Sequence, residues 1–487
     1  MGVIIKQSFK NMVTTYFGFG IGAINTLFLY TYFLEQEYYG LVTFLLSAAN
    51  LVWPFMAFGV PNTLVKFFTF YRKKEEKDKL LNLVLILPIV VSLVLGLLAY
   101  VAYDFLIGYF TKGNSLVRPY IWLIFVIAFA STYFEIFFAW SKLFYKSVFG
   151  NFMKEVFQRF CISLLLVAVY LNWLSVHQFI YCIAGVFVLR LLAMGIYAFS
   201  LYVPQFSFKF PKQLSPVLKY TALILIAASI ATALLDLDKV MIEYFLPIEN
   251  VAIYGIAVYI ATVISVPQKA MHQITHPLTA EYLNNRHKDK LEELYKKSSL
   301  NLLIISGLIF ILILSNVKQL YELIPDEYEL SVLVVLLISL VKLYDNLLGN
   351  NNSILFNSDY YRIVLVIGLS LVVLAVVLNI IFIPRLGIDG AAIATFIAFF
   401  LYNSAKILLV YRKFRFLPFT SKTWLILLLG TLLSLCFYFW DFTFHPLLNI
   451  GFKSILISLS YLGLAYFLNF SSEVKRIINQ VFGIKKG

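Results

Sequence analysis

Charge is what this chain has least of. Asp, Glu, Lys and Arg make up 13% of its 487 residues, about half of the roughly 25% usual for soluble proteins. With 61% of residues hydrophobic, no soluble core of this size could hide the apolar surface, so most of the chain has lipid as its solvent. Cysteine is scarce as well. The three, Cys161, Cys182 and Cys436, lie in apolar stretches without a CxxC, which excludes a disulfide framework. The chain has no GxxxxGK[ST] phosphate loop and no GxSxG nucleophile turn. HQITH at 272–276 puts His272 and His276 on one helical face, but Gln273 stands where a zinc protease carries Glu. No metal is expected there. Long polar loops able to carry catalytic chemistry are also missing, so the protein is expected not to be an enzyme.

What is present is apolar sequence in spans of about 20 residues, the length of a membrane helix. Fourteen can be placed: 10–33, 41–70, 80–110, 119–140, 153–172, 179–201, 217–245, 252–275, 299–323, 331–349, 363–383, 390–410, 422–440 and 454–470. Pro54, Pro88 and Pro267 sit inside spans and are candidate kinks. The net charge of +14 has two readings, nucleic-acid binding or membrane topology. An even number of spans puts both termini on one side, and 28 of the 39 Lys and Arg fall on that side. The opposite loops hold four, Lys112, Arg118, Arg385 and Lys453. By the positive-inside rule both termini are cytoplasmic, and the basic balance needs no nucleic acid.

The string KDKL occurs at 77–80 and again at 288–291, and a Tyr-Gly pair precedes each, Tyr39-Gly40 and Tyr254-Gly255. The nearly equal offsets mark a duplication. Six spans separate the copies, so the halves share one orientation, the parallel-repeat geometry of some transporters. The expected layout is an all-α polytopic protein. An N-terminal lobe covers 1–202 (helices 1–6), a cytoplasmic linker 203–216 and a C-terminal lobe 217–411 (helices 7–12). Helices 13–14 occupy 412–470, and 471–487 forms an amphipathic tail. In that tail Val474, Ile477, Ile478, Val481 and Phe482 share a face suited to the inner leaflet.

Charges inside spans mark function, because each costs roughly 2.5–3.5 kcal/mol at the bilayer centre. Lys66, late in its span, either snorkels or faces a cavity. Arg190 lies too deep to snorkel, with Glu135 as a possible partner. Lys269 follows Pro267, and Lys342 has Asp345 three residues on. LLDLDKVMIEYF at 234–245 offers the pairs Asp236/Lys239 and Lys239/Glu243 and leaves Asp238 without a local partner. If Arg190, Lys239, Lys269, Lys342 and Lys66 converge, they form a cationic cavity suited to a phosphate or pyrophosphate.

Four stretches resemble the oligosaccharide-lipid (Wzx-type) flippase branch of the superfamily that also holds multidrug exporters and lipid II flippases. They are FLEQEYYG at 33–40, LDLDKVMIEYFLPIENVAIYG at 235–255, HPLTAEYLNNRHKDKLEELYKKS at 276–298 and IPRLGIDGAAIAT at 383–395. Glu35 stands where the family has Gly. The resemblance implies a MATE-like fold of two six-helix lobes plus two helices in the bacterial cytoplasmic membrane. It implies alternating-access transfer of undecaprenyl-pyrophosphate-linked oligosaccharide to the periplasmic leaflet, alongside membrane lipids and other polysaccharide assembly proteins. It further implies no cofactor beyond a coupling Na+ or proton, for which Asp236, Asp238, Asn379 and Thr395 stand in comparable places. Ile383 replaces a second acid of that set. Two other readings stay open: a drug or metabolite antiporter on the same fold, and a non-transporting component of a polysaccharide assembly complex.

Overall fold

A computed structural model describes residues 2–104, 108, 114–206, 209–212, 214–329, 331–471 and 475, with backbone alone at 2–6, 8, 9, 227, 228, 231–235, 270 and 273. The end of the third span, Lys112, the Gln273 side chain and nearly all of the tail lie outside the described residues. All regular structure among the described residues is helical. Ten helices there are long and apolar enough to cross a membrane, and the protein is a multi-pass membrane protein. The fourteen expected spans are not reproduced as such. Tyr361–Phe414 counts once although Gly387 breaks it at φ 62° and ψ −142°, at the IPRLGIDGAA turn. The regions 153–172 and 331–349 are not among the ten, and 217–245 falls within the continuous Leu214–Phe245 helix.

Packing divides the chain into two units, Met1–Gly255 with Asn379–Gly387, and Ile256–Leu378 with Ile388–Gly487. The division does not follow the 203–216 linker. The Leu214–Phe245 helix, which the sequence repeat places in the second lobe, packs within the first unit. Gly59 explains part of this. A Cβ there would sit 2.3 Å from the Thr221 carbonyl oxygen, so only glycine lets the two backbones meet so closely.

In the first unit, two helices carry π turns, Asn25–Leu29 and Met153–Phe157. Buried Asn25 drives the first. Its amide donates to the Arg159 carbonyl at 2.8 Å and accepts from Ser163 Oγ at 2.6 Å, the kind of side-chain insertion that unwinds a turn. The Gln36–Ala57 helix ends where Phe58 and Gly59 take left-handed backbone angles, and Val60–Phe70 continues from there. Pro54 precedes that break. Pro88, by contrast, lies inside the continuous Lys74–Val101 helix, and Pro267 opens Val266–Asn284 after a short 3-10 turn. The core joins Leu64, Phe67, Leu80, Phe134 and Trp140.

The KDKL echo also resolves. In the first copy, Asp78 accepts from the Tyr202 hydroxyl at 2.5 Å, Glu76 accepts from the Lys212 N–H at 2.9 Å, and Asn82 donates to the Gln205 carbonyl at 2.8 Å. These bonds fasten the linker to the Lys74–Val101 helix. In the second copy, Leu291 is buried with Ile354, Leu355 and Phe416, while Asp289 and Lys290 are exposed. The Tyr-Gly pairs behave alike. Each tyrosine hydroxyl reaches back to the preceding helix, Tyr39 to the Thr26 carbonyl at 3.2 Å and Tyr254 to Asp238 at 2.6 Å.

In the second unit, Ser421–Tyr438 and Pro446–Phe467 pack on Lys288–Tyr321 through Ile304, Ile311, Ile426, Ile457 and Tyr461. Fully buried Lys453 pairs with Asp441 at 2.7 Å, and Gln319 donates to the same carboxylate. An apolar cavity of about 290 Å³ lies among these helices and Val332–Leu347, lined by Leu303, Leu336, Leu340, Gly430, Leu435 and Tyr461.

Candidate functional site

Two acids of the Leu214–Phe245 helix organise the interior of the first unit. Asp236 accepts from Ser47 Oγ at 3.0 Å, Asn50 Nδ2 at 3.2 Å and Lys239 Nζ at 3.0 Å. The i,i+3 spacing made the Lys239 pair legible in the sequence. Asp238, which sequence left without a local partner, accepts from Tyr254 at 2.6 Å and from Asn379 at 2.8 Å. Asn379 is 141 residues away, so no local pattern could have shown the bond. Glu243 lies with Asn114, whose amide donates to the Glu243 carbonyl at 3.0 Å and to its carboxylate at 3.3 Å. Thr395 is buried in the second unit.

The Asp236–Lys239 pair carries a test of its own. Both side chains are largely buried, at 12% and 17% exposed, and removing one partner strands the other's charge. Asp236→Leu alone should destabilise the protein by about 2–3 kcal/mol, below the 3–5 of a fully buried pair because Lys239 keeps some exposure. Adding Lys239→Met should recover most of the loss. Thermal unfolding of the two variants in detergent reads this, and a double variant no better than the single one would show that the pair is not coupled.

The predicted cations differ in their surroundings. Arg190 is 6% exposed and lies over the Phe134 and Phe187 rings, 4.2 and 4.8 Å from their centroids. Its NH1 donates to Gln158, while its Nε is buried without a hydrogen-bond partner. Glu135, the partner expected from sequence, instead pairs with Lys154 at 2.6 Å. Arg190 is therefore a buried guanidinium held by an amide and two aromatic faces, with a donor to spare. Lys66 is exposed, its ammonium 3.8 Å from the Tyr220 ring centroid, and Lys269 is exposed on Val266–Asn284. Lys342 lies 5.8 Å from the Phe399 ring centroid.

The sequence reading left Lys406 out of the cationic set. It is 1% exposed, 3.7 Å from Asp345, 3.0 Å from Asn352 Oδ1 and 4.3 Å from the Tyr402 ring centroid. Asp345 also accepts from Gln268 at 3.0 Å. The Asp345 carboxylate thus contacts Lys406 and Gln268, residues that local spacing did not suggest. The signal that could have found Lys406 is its place four residues short of the end of an otherwise uncharged span.

His272 Nε2 donates to the Gly349 carbonyl at 3.2 Å, and His276 is exposed. No group of three or more His, Cys, Asp or Glu able to hold a metal occurs among the described residues.

An all-helical membrane chain with buried acids, a buried guanidinium and an apolar cavity is the build of a polytopic transporter fold. The chain is similar to "Lipid II flippase MurJ, inward closed conformation" over 95% of its own length and 99% of that chain, with a TM-score of 0.75 at 14% identity. It is similar also to an inward-facing "multidrug resistance MATE family transporter of the MOP superfamily", over 85% and 95% of the two chains, with a TM-score of 0.58 at 15% identity. A third similar structure is that of the "MATE multidrug transporter DinF-BH", over 85% and 95%, with a TM-score of 0.54 at 16% identity. None of these neighbours is an enzyme. No curated protein matches the chain by sequence. The family described as "Polysaccharide biosynthesis protein" matches residues 4–273, and the chain belongs to that family.

Proposed function

We propose that the protein is a flippase that carries undecaprenyl-pyrophosphate-linked oligosaccharide from the cytoplasmic to the periplasmic leaflet of a bacterial inner membrane, with both termini cytoplasmic. One observation carries this reading. A member of the polysaccharide biosynthesis family has the lipid II flippase fold over 95% of its length, against 85% for the multidrug transporters. The apolar cavity against the last two helices supports it, as a place for isoprenoid carbons while the headgroup crosses. Arg190 is assigned to the pyrophosphate because a guanidinium matches paired phosphoryl oxygens. Lys239, Lys269, Lys342 and Lys66 make up the rest of the cationic set, with Lys239 carrying its own counter-ion.

The two lobes of the sequence repeat would rock about this site in alternating access. Asp236, Asp238, Asn379 and Thr395 are assigned to coupling with Na+ or a proton. Other polysaccharide assembly proteins are expected partners.

The decisive experiment is reconstitution in proteoliposomes with two cargoes, a fluorescent undecaprenyl-pyrophosphate saccharide and a cationic rhodamine dye. Protein-dependent loss of the saccharide from the outer-leaflet quenching pool, with no dye movement, is expected. Dye movement without saccharide transfer would place the protein with the antiporters. Movement of neither, in a folded preparation, would point to an assembly component.

A further inference from the structure

We propose that the break in the Gln36–Phe70 segment forms a binding subsite for a single sugar ring. A cavity of about 130 Å³ lies there, lined by Trp53, Pro54, Gly59, Asn62, Glu135 and Lys142. It belongs wholly to the first unit, and its lining includes none of the hydrogen-bond partners of Asp236, Asp238 and Arg190 described above. The inference rests on the flippase reading only for the identity of the molecule that carries the sugar.

The break makes the site. Phe58 and Gly59 adopt φ 49° and φ 72°, so the helix stops and a new one starts at Val60. The first N–H groups of a helix have no partner within it, and Pro61 contributes none. Asn62 therefore offers a backbone donor at the cavity. The surroundings hold the break in place. Thr132 Oγ1 donates to the Trp53 carbonyl at 3.1 Å, and the Thr63 and Thr221 hydroxyls pair at 3.0 Å. The pocket is thus built before any ligand arrives, which lowers the ordering cost of binding.

The lining chemistry selects the ligand. Glu135, which is paired with Lys154, and Lys142 place a carboxylate and an ammonium on the same wall, an acceptor and a donor for a hydroxyl-bearing ligand. Asn62 and Lys142 are exposed at the rim. The Lys142 ammonium rests on the Phe138 ring, 3.8 Å from its centroid, with its donors available. Donors, acceptors and an indole around a small space match the hydroxyls and the apolar C–H face of a pyranose. The volume is well below the roughly 300–1,000 Å³ of drug-sized sites, so one ring fits and a drug does not. The apolar cavity of the second unit, at about 290 Å³, offers the hydroxyls of Thr431, Ser434 and Tyr461 but no amide, charged group or indole.

The test uses the full chain in nanodiscs and methyl glycosides of glucose, galactose and N-acetylglucosamine as probes, read by saturation-transfer NMR. At least one glycoside should receive saturation from the wild-type protein. Asn62→Ala with Lys142→Ala should weaken that glycoside about tenfold, the combined effect of two hydrogen bonds, and Lys142→Arg should keep most of the binding. Thermal unfolding of each variant reports folding. Saturation transfer that is absent from the wild type, or unchanged in the folded double variant, would overturn the proposal. Undecaprenyl pyrophosphate without sugar, measured in parallel, tests the flippase reading separately. It should bind wild type and double variant equally. If it binds neither while the glycoside binds, the flippase reading fails and the sugar site stands.

Discussion

Gly40→Ala is expected to abolish activity and to lower the thermal unfolding midpoint sharply. A Cβ on Gly40 would lie 2.1 Å from the Ile248 carbonyl oxygen and 2.8 Å from its carbon. Both are backbone atoms, so no side chain can swing aside, and the helix must separate from the 246–249 turn. That turn is also held by Asn114, whose Oδ1 accepts from the Ile248 N–H at 3.0 Å. Overpacking a well-packed interior costs about 1–3 kcal/mol, and a backbone collision belongs at the upper end or beyond. The echo position gives the control. A Cβ on Gly255 would meet only the Thr43 side chain, its methyl at 3.2 Å, a contact that a small rotation relieves. Gly255→Ala should therefore cost under about 1 kcal/mol and keep activity. Unfolding of both variants in detergent and flipping in proteoliposomes measure the contrast. Equal effects at the two glycines would refute the close-approach argument.

Arg190→Leu should separate function from stability. A buried guanidinium is costly to desolvate, and an apolar residue of similar volume removes that cost. Phe134 and Phe187 already provide an apolar seat. Gln158 would lose its partner, which offsets part of the gain. Unfolding is thus expected at the same temperature or higher. Transfer of the pyrophosphate-linked substrate should fall about 100-fold, the scale of one or two charge-assisted hydrogen bonds. Arg190→Lys should retain part of the rate, because the charge survives but the forked donor does not. A Leu variant that unfolds early and transports normally would make Arg190 a structural residue.

Much of the fold was legible because it rests on composition and short spacings. The apolar helical build, the two Tyr-Gly landmarks and the Asp236–Lys239 pair are local patterns, and each appears in the structure, although the fourteen separate spans do not. Pro54 marked the neighbourhood of the Phe58–Gly59 break. Pro88, marked by the same rule, lies inside one continuous helix, since a membrane helix can absorb a proline when packing tolerates the lost hydrogen bond. The sugar-sized pocket was not legible. Its lining comes from residues as far apart as Trp53 and Lys142, and nothing in their spacing joins them.

From its sequence alone, this protein was bound to live in a membrane as a helical chain with a few costly charges, because hydrocarbon rejects unpaired backbone and charge wherever they fall. Which groups would answer the remaining charges, beyond the local Asp236–Lys239 pair, was decided only by the tertiary structure. Asp238 found Asn379, Glu135 found Lys154, and Arg190 took an amide and two phenyl rings as its direct contacts. The physical reason is range. Helix periodicity relates residues within about one turn, whereas a buried charge is answered by whichever helix packs beside it.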